Sequence, residues 1–232
     1  MQKNTIMQKE LQYCFSDELG YEIGVDEAGR GPMLGRVYTA AVILPKTKEL
    51  FNHALMKDSK KFHSDKKIRE VAEYIKANAI AWNVGFSTEQ VIDKVNIRNA
   101  THKAMHEAIR GVLNKQNEKL EKIDETAYKL LIDGNDFTPF MQINSDCSFT
   151  QLEHVCIEGG DNKYTSIAAA SILAKVSRDA YIEQLCLVDA SLIEKYDILN
   201  NKGYGTKKHM EGIHKFGITP YHRKSFGICK NY

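Results

Sequence analysis

Short apolar runs of strand length alternate along this chain with longer stretches whose apolar residues recur at helical spacing, and few folds satisfy that alternation. Glu22 to Asp26 and Val37 to Leu44 are β-branched or apolar runs, separated by the turn-forming Gly29-Arg30-Gly31-Pro32 and closed by Pro45. Ser64 is placed to cap a helix whose apolar positions Ile68, Val71, Ala72 and Ile75 follow the i, i+3, i+4, i+7 pattern, and Ala79 to Gly85 reads as the next strand. A longer stripe of Ile97, Ala100, Ala104, Met105, Ala108, Ile109 and Val112 predicts a core-facing helix running into a charged, solvated stretch from Asn117 to Glu125. Lys129 to Asp133 and His154 to Glu158 are two further short strands. Ser166 to Leu185 then carries Ile167, Ala170, Leu173, Ala174, Val176 and Tyr181 at helical intervals, with small residues that permit close packing on a sheet. Strands interleaved with helices make the fold class α/β.

The chain has 232 residues, 43% hydrophobic and 27% charged, which suits one globular domain with a sizeable core. There is no internal repeat, and four prolines leave no obvious linker. No apolar run approaches the roughly 18 to 20 residues of a membrane span, and the polar opening from Met1 to Glu10 lacks the apolar centre of a secretory signal. A cytoplasmic location with no membrane partner is therefore expected, and a monomer. Cys14, Cys147, Cys156, Cys186 and Cys229 are scattered with no Cys-x-x-Cys pair, which argues against a zinc knuckle and a disulfide framework. The formal net charge is only +2, but Lys202 to Tyr232 holds seven basic residues against Glu211 alone, leaving −4 for the rest. A basic segment carrying Tyr204, His209, His214, Tyr221 and His222 is suited to a phosphate backbone, since cations displace condensed counterions and aromatic faces stack on sugars or bases; a plain solvated surface would have the same composition.

Chemistry is concentrated in carboxylates at element ends. Asp26 and Glu27 close the first strand, Asp133 closes a later one, and Asp161 sits just before a helix. Taken singly, any of them could be a cap, a turn former or a surface charge. If the four converge, their mutual repulsion in a partly desolvated site amounts to several kcal/mol and calls for cations. All-oxygen ligation without adjacent cysteine or histidine favours Mg²⁺ or Mn²⁺ over zinc, and two such ions suit phosphodiester hydrolysis.

Gly24-Val25-Asp26-Glu27-Ala28-Gly29-Arg30-Gly31-Pro32 resembles the signature of the type 2 ribonucleases H, and within them the bacterial HII branch. Asp58-Ser59-Lys60-Lys61, Asp133-Gly134-Asn135, Gly160-Asp161, the run from Ser166 to Asp179 and Gly203-Tyr204-Gly205-Thr206-Lys207 follow in that family's order, so the likeness spans roughly Tyr21 to Cys229. The resemblance implies a ribonuclease H-like mixed sheet flanked by helices with a small helical C-terminal part. The chain would divide into a 1–20 extension of unassigned role, a 21–195 catalytic core and a 196–232 substrate-binding part. It further implies that Asp26, Glu27, Asp133 and Asp161 are the catalytic, metal-binding carboxylates, holding two Mg²⁺ or Mn²⁺ ions during turnover. Gly29, Arg30 and Gly31 would test the 2′-hydroxyl with their backbone, glycine being needed because a Cβ would block close approach. Tyr204 would stack on the sugar of the next deoxynucleotide, Lys60 would touch a phosphate near the cut, and Lys207, with Arg223 and Lys224, would hold the duplex backbone further along.

The implied substrates are RNA/DNA hybrids and duplex DNA with embedded ribonucleotides, cut 5′ to the ribonucleotide to leave 5′-phosphate and 3′-hydroxyl ends, in ribonucleotide removal and RNA primer removal. A catalytically inactive hybrid-binding module is the alternative from another class, and retention of all four acids argues against it. A dinucleotide or P-loop reading fails because neither glycine fingerprint is present. The sister branch, ribonuclease HIII, usually lacks Gly-Arg-Gly and carries an extra N-terminal domain. Two departures stand out: Arg36 where the family usually has proline, and Gly159 where a lysine is frequent before Gly160-Asp161.

Overall fold

The computed structural model describes residues 10–16, 20–117, 128–143 and 147–232. A five-stranded mixed sheet forms its centre. β1 (Tyr21–Ala28) pairs antiparallel with β2 (Val37–Ile43), and β2 pairs antiparallel with β3 (Ala81–Ser87). On the other side β1 pairs parallel with β4 (Tyr128–Asp133), and β4 parallel with β7 (Glu153–Ile157), giving the order β3-β2-β1-β4-β7. A separate two-stranded ribbon, β5 (Met141–Ile143) and β6 (Phe149–Gln151), has no counterpart in the sequence reading, its strands being three residues each.

The sheet is covered on both faces, which explains why β2 is buried along its whole length. Ile23, Val25, Ala41, Ile43, Leu130 and Ile132 point to α2 (Glu89–Asn117), meeting Met105, Ala108, Ile109 and Val112. Ala40 and Val42 point the other way, to α1 (Asp65–Asn78) and α3 (Thr165–Val188). The predicted stripe on α2 is thus core, and Asn96, with φ 69°, breaks that helix just before it. Ser64 caps α1 as expected, its side chain accepting from the Lys67 amide. β3 begins two residues later than the sequence suggests because Ala79 is still the cap of α1, donating to the Ile75 carbonyl. The expected charged stretch from Asn117 to Glu125 lies outside the described residues, apart from Asn117 as the end of α2.

α3 approaches β1 closely. A Cβ on Gly24 would lie 2.2 Å from the Ser166 backbone carbon, so glycine there and the alanines 168–170 let the helix settle on the strand. Beyond α3, the short helices α4 (Ser191–Tyr196) and α5 (Ile198–Asn201) and the longer α6 (Lys207–Phe216) gather around their own apolar cluster of Ile182, Leu192, Tyr196, Ile198 and Ile213. Met33 and Leu34, from the loop after β1, enter the same cluster and tie it to the sheet edge. At the other end, Gln12 exchanges backbone hydrogen bonds with Lys163 and Thr165, and Glu22 accepts the amides of Phe15 and Ser16. Among the described residues no helix is long and apolar enough to cross a membrane.

Candidate active site

Register places the acids. β1 and β4 are parallel with Val25 opposite Ile132, so one step further Asp26 faces Asp133 on strands about 4.8 Å apart. Both share the parity of Gly24 and Leu131, whose side of the sheet faces α3, and both lie at carboxyl ends of strands. Asp161 follows β7 in a single 3₁₀ turn, Gly160–Asn162, and the Gly160 amide donates to Asp133 Oδ1 at 2.7 Å, drawing that turn against β4. Gly159 supplies the left-handed corner, φ 62°, with open space where a Cβ would point; a lysine there would meet no neighbour, only backbone strain.

The electrostatics follow from this crowding. Burial raises the Asp26 carboxyl well above the ordinary range, and the neighbouring Glu27, Asp133 and Asp161 add to it, against one favourable contact from the Glu27 amide at 2.6 Å. Burial also raises Glu27, partly offset by Arg30, whose guanidinium lies 3.4 Å from Oε1, and by Lys60. Asp161 is raised by burial, then by Asp58 and Asp133. The four acids therefore share one neighbourhood, although among the described residues no three of them already close on a common point. Like-charged oxygens at this range gain by turning aside from one another. The donor set is oxygen only, and Arg30 and Lys60 offset only part of its crowding, which fits hard divalent cations.

The remaining predicted residues surround this edge. Lys60 is exposed on the 3₁₀ turn Ser59–Lys61, which Asp58 caps, and the Ser59 hydroxyl meets Ser171 of α3 at 2.8 Å. Asn162, not singled out from the sequence, donates to both Asp161 (2.9 Å) and Asp58 (3.3 Å) and is joined by Lys61. Gly29 has φ +91°, and a Cβ on it would sit 2.3 Å from Arg178 Nε, so this glycine answers to the fold; Gly31 has room, with only Tyr204 Cε1 at 3.5 Å. Tyr204 itself is 49% exposed beside that loop, its carbonyl held by His209 Nδ1 at 2.9 Å.

Lys207 opens α6 as an 88% exposed side chain, with Glu211 no nearer than 3.9 Å. Arg223 does not lie on a duplex-facing surface as the basic run suggested: it is wholly buried, held by backbone carbonyls. Lys224 is exposed, with its amide on Asp93. Arg36, the unusual residue after Gly35, places its guanidinium 4.5 Å from the Phe86 ring and 4.6 Å from Tyr181, so it is a packing element. A cavity of about 660 Å³ lies to one side, between residues 10–13 and 48–61. It reaches Asp58 and Asn162 but not Asp26 or Asp133.

Comparison with known proteins gives one consistent result. The family model for ribonuclease HII matches residues 23–229. The ribonuclease HII of Parabacteroides distasonis is 45% identical over 207 residues, covering 89% of this chain and 90% of that protein. Among solved structures, the ribonuclease H2 of Pyrococcus horikoshii superposes with a TM-score of 0.66 at 23% identity, over 91% of this chain and 96% of its own. The Bst ribonuclease HIII in complex with Mn²⁺ does so with 0.56 at 18% identity, over 85% and 71%.

Proposed function

Because the chain belongs to the ribonuclease HII family of endonucleases, we propose that it hydrolyses the RNA strand of RNA/DNA hybrids and cuts 5′ to single ribonucleotides in duplex DNA. The observation that carries this reading is the placement of Asp26 opposite Asp133 at the carboxyl edge, with Asp161 drawn in by the Gly160 amide and Glu27 alongside. These four carboxylates would hold two Mg²⁺ or Mn²⁺ ions; a related ribonuclease HIII has been solved with Mn²⁺. Bound there, the ions supply Lewis-acid polarisation of the scissile phosphate and acidify the attacking water.

The protein's own groups do the rest. The Gly160 amide fixes the Asp133 carboxylate, and Asn162 fixes Asp161, so that the acids are aimed before substrate arrives. Lys60, exposed beside Glu27 and Asp161, meets a non-bridging phosphate oxygen near the cut. The Gly29-Arg30-Gly31 backbone reads the 2′-hydroxyl, and Tyr204 stacks on the following deoxyribose, so that the enzyme senses the RNA-to-DNA junction. Lys207, exposed at the start of α6, holds a phosphate further along the duplex, and the basic 196–232 part binds substrate with it, as the family resemblance implies. The reading is tested by incubating a DNA duplex containing one ribonucleotide with Mg²⁺ or Mn²⁺. A cut on its 5′ side leaving 5′-phosphate on the ribonucleotide is expected, and intact duplex with both ions would overturn the assignment.

A further inference from the structure

Arg223 is the largest wholly buried side chain in the molecule as described, and its guanidinium is spent on one loop. Nε donates to the Gly35 carbonyl (2.8 Å), Nη1 to those of Arg30 (2.9 Å) and Pro32 (2.8 Å), and Nη2 to that of Gly29 (2.6 Å). Its own amide donates to the Met33 carbonyl at 2.8 Å. Burial and the nearby Arg178 lower its pKa to about 9, so it stays charged at neutral pH, with four carbonyl dipoles replacing water.

In a trans peptide the C=O of one residue and the N–H of the next point in opposite directions, and the described chain has no cis bond. Carbonyls 29 and 30 drawn toward Arg223 therefore turn the amides of Arg30 and Gly31 away from it. Of the residues that follow in the loop, Pro32 has no amide proton, Met33 donates to Gly203, Gly35 donates to Tyr221, and Leu34 is wholly buried. Among the described residues no acceptor takes the Arg30 and Gly31 amides. Tyr204 Cε1 lies beside this stretch of backbone, 3.5 Å from the Gly31 Cβ position.

We infer that Arg223 is a positioning residue for ribonucleotide recognition, its fork pulling four carbonyls inward so that the loop presents the amides of Arg30 and Gly31 to the substrate sugar. This rests on the proposed role of that loop and extends it to a side chain that never touches substrate. Lysine preserves the charge but not the planar fork, which makes Arg223→Lys the informative change.

Two measurements decide it. Single-turnover cleavage of a one-ribonucleotide duplex, per folded enzyme and well below the variant's melting temperature, should fall about tenfold or more, as for a displaced binding group. Affinity for the same duplex without divalent ion should stay within about threefold, because phosphate contacts dominate it. In the parent protein, amide NMR signals of Arg30 and Gly31 should shift with a one-ribonucleotide duplex and not with its all-DNA counterpart. Cleavage by Arg223→Lys at the parent rate overturns the inference, and so do parent amides blind to the ribonucleotide; the second result decides the matter if the variant does not fold. A parent that fails to cut the duplex at all instead overturns the proposed function.

Discussion

Replacing Asp26 by asparagine separates what this carboxylate costs the fold from what it does in the reaction. The residue is 4% exposed, and three other acids act on it. At an effective dielectric near 20, a like-charged pair 5 to 8 Å apart costs about 2 to 3 kcal/mol. Retained protons and side-chain relaxation absorb part of that, so neutralising Asp26 is expected to stabilise the protein by about 1 to 3 kcal/mol. Asparagine keeps the oxygen that accepts the Glu27 amide, so no hydrogen bond is lost. For a chain of this size each kcal/mol raises the melting temperature by about 2 to 4 °C. The assay is thermal unfolding in chelator at neutral pH, beside cleavage of a one-ribonucleotide duplex with Mn²⁺. The variant should melt higher and cut at least about 10³-fold more slowly. Adding Mn²⁺ should raise the parent's melting temperature more than the variant's. The sign with pH is fixed too. A carboxyl that binds its proton more tightly when folded contributes stability below its unfolded pKa, and that contribution is lost as pH rises through the folded value. The parent-to-variant gap should therefore widen from acid to neutral pH. A variant that melts lower in chelator, or cuts at the parent rate, refutes the reasoning.

Gly31→Ala should leave stability within about 0.5 kcal/mol while reducing cleavage at least tenfold, whereas Gly29→Ala should lower the melting temperature outright because of its φ and the Arg178 contact; equal stability losses in the two would contradict the distinction. Tyr204→Ala removes an exposed ring worth about 1 to 3 kcal/mol of stacking and should slow cleavage at isolated ribonucleotides, with unchanged rates excluding the role. His222 and His209 are buried and meet at 3.1 Å; burial lowers both, and the proximity of His209 helps to hold His222 at about 4. A histidine depressed on folding gives stability present above its unfolded pKa of 6.5 and lost as pH falls toward 4, so about 2 kcal/mol should disappear between pH 7 and pH 5 from His222 alone. Urea unfolding at the two pH values checks this, and a His222→Asn variant with the parent's slope would remove the pair as its source.

The central sheet and its two helical layers were readable because β-branched runs and 3.6-residue stripes are local signals. So were Asp26 and Asp133, since a carboxylate ending an apolar run is visible in the sequence. Their pairing is not, because parallel register joins strands more than 100 residues apart through crossover helices. Arg223 shows the opposite failure. In sequence it is one cation in a basic run, and only the return of that segment onto the loop after β1 turns it into an interior group. Asn162 and His209 act on neighbours one and five residues away, yet nothing in an asparagine after aspartate or a histidine on a basic helix announces it. The kink at Asn96 is a local cap, its Oδ1 accepting the Asn99 amide at 3.0 Å, hidden at the head of a continuous helical stripe, and the β5–β6 strands are too short to carry a periodic signal.

The clasp between Arg223 and carbonyls 188 to 194 residues earlier has a consequence for biosynthesis. At about 5 to 20 residues per second, roughly 10 to 40 s separate synthesis of the glycine loop from arrival of the arginine that shapes it. Only in the last part of that interval, once Asp161 has been made, does the growing chain carry all four acids, and it still lacks the side chain that holds carbonyls 29, 30, 32 and 35. The ordered form of the Gly29-Arg30-Gly31 loop is therefore expected only when the molecule is nearly finished.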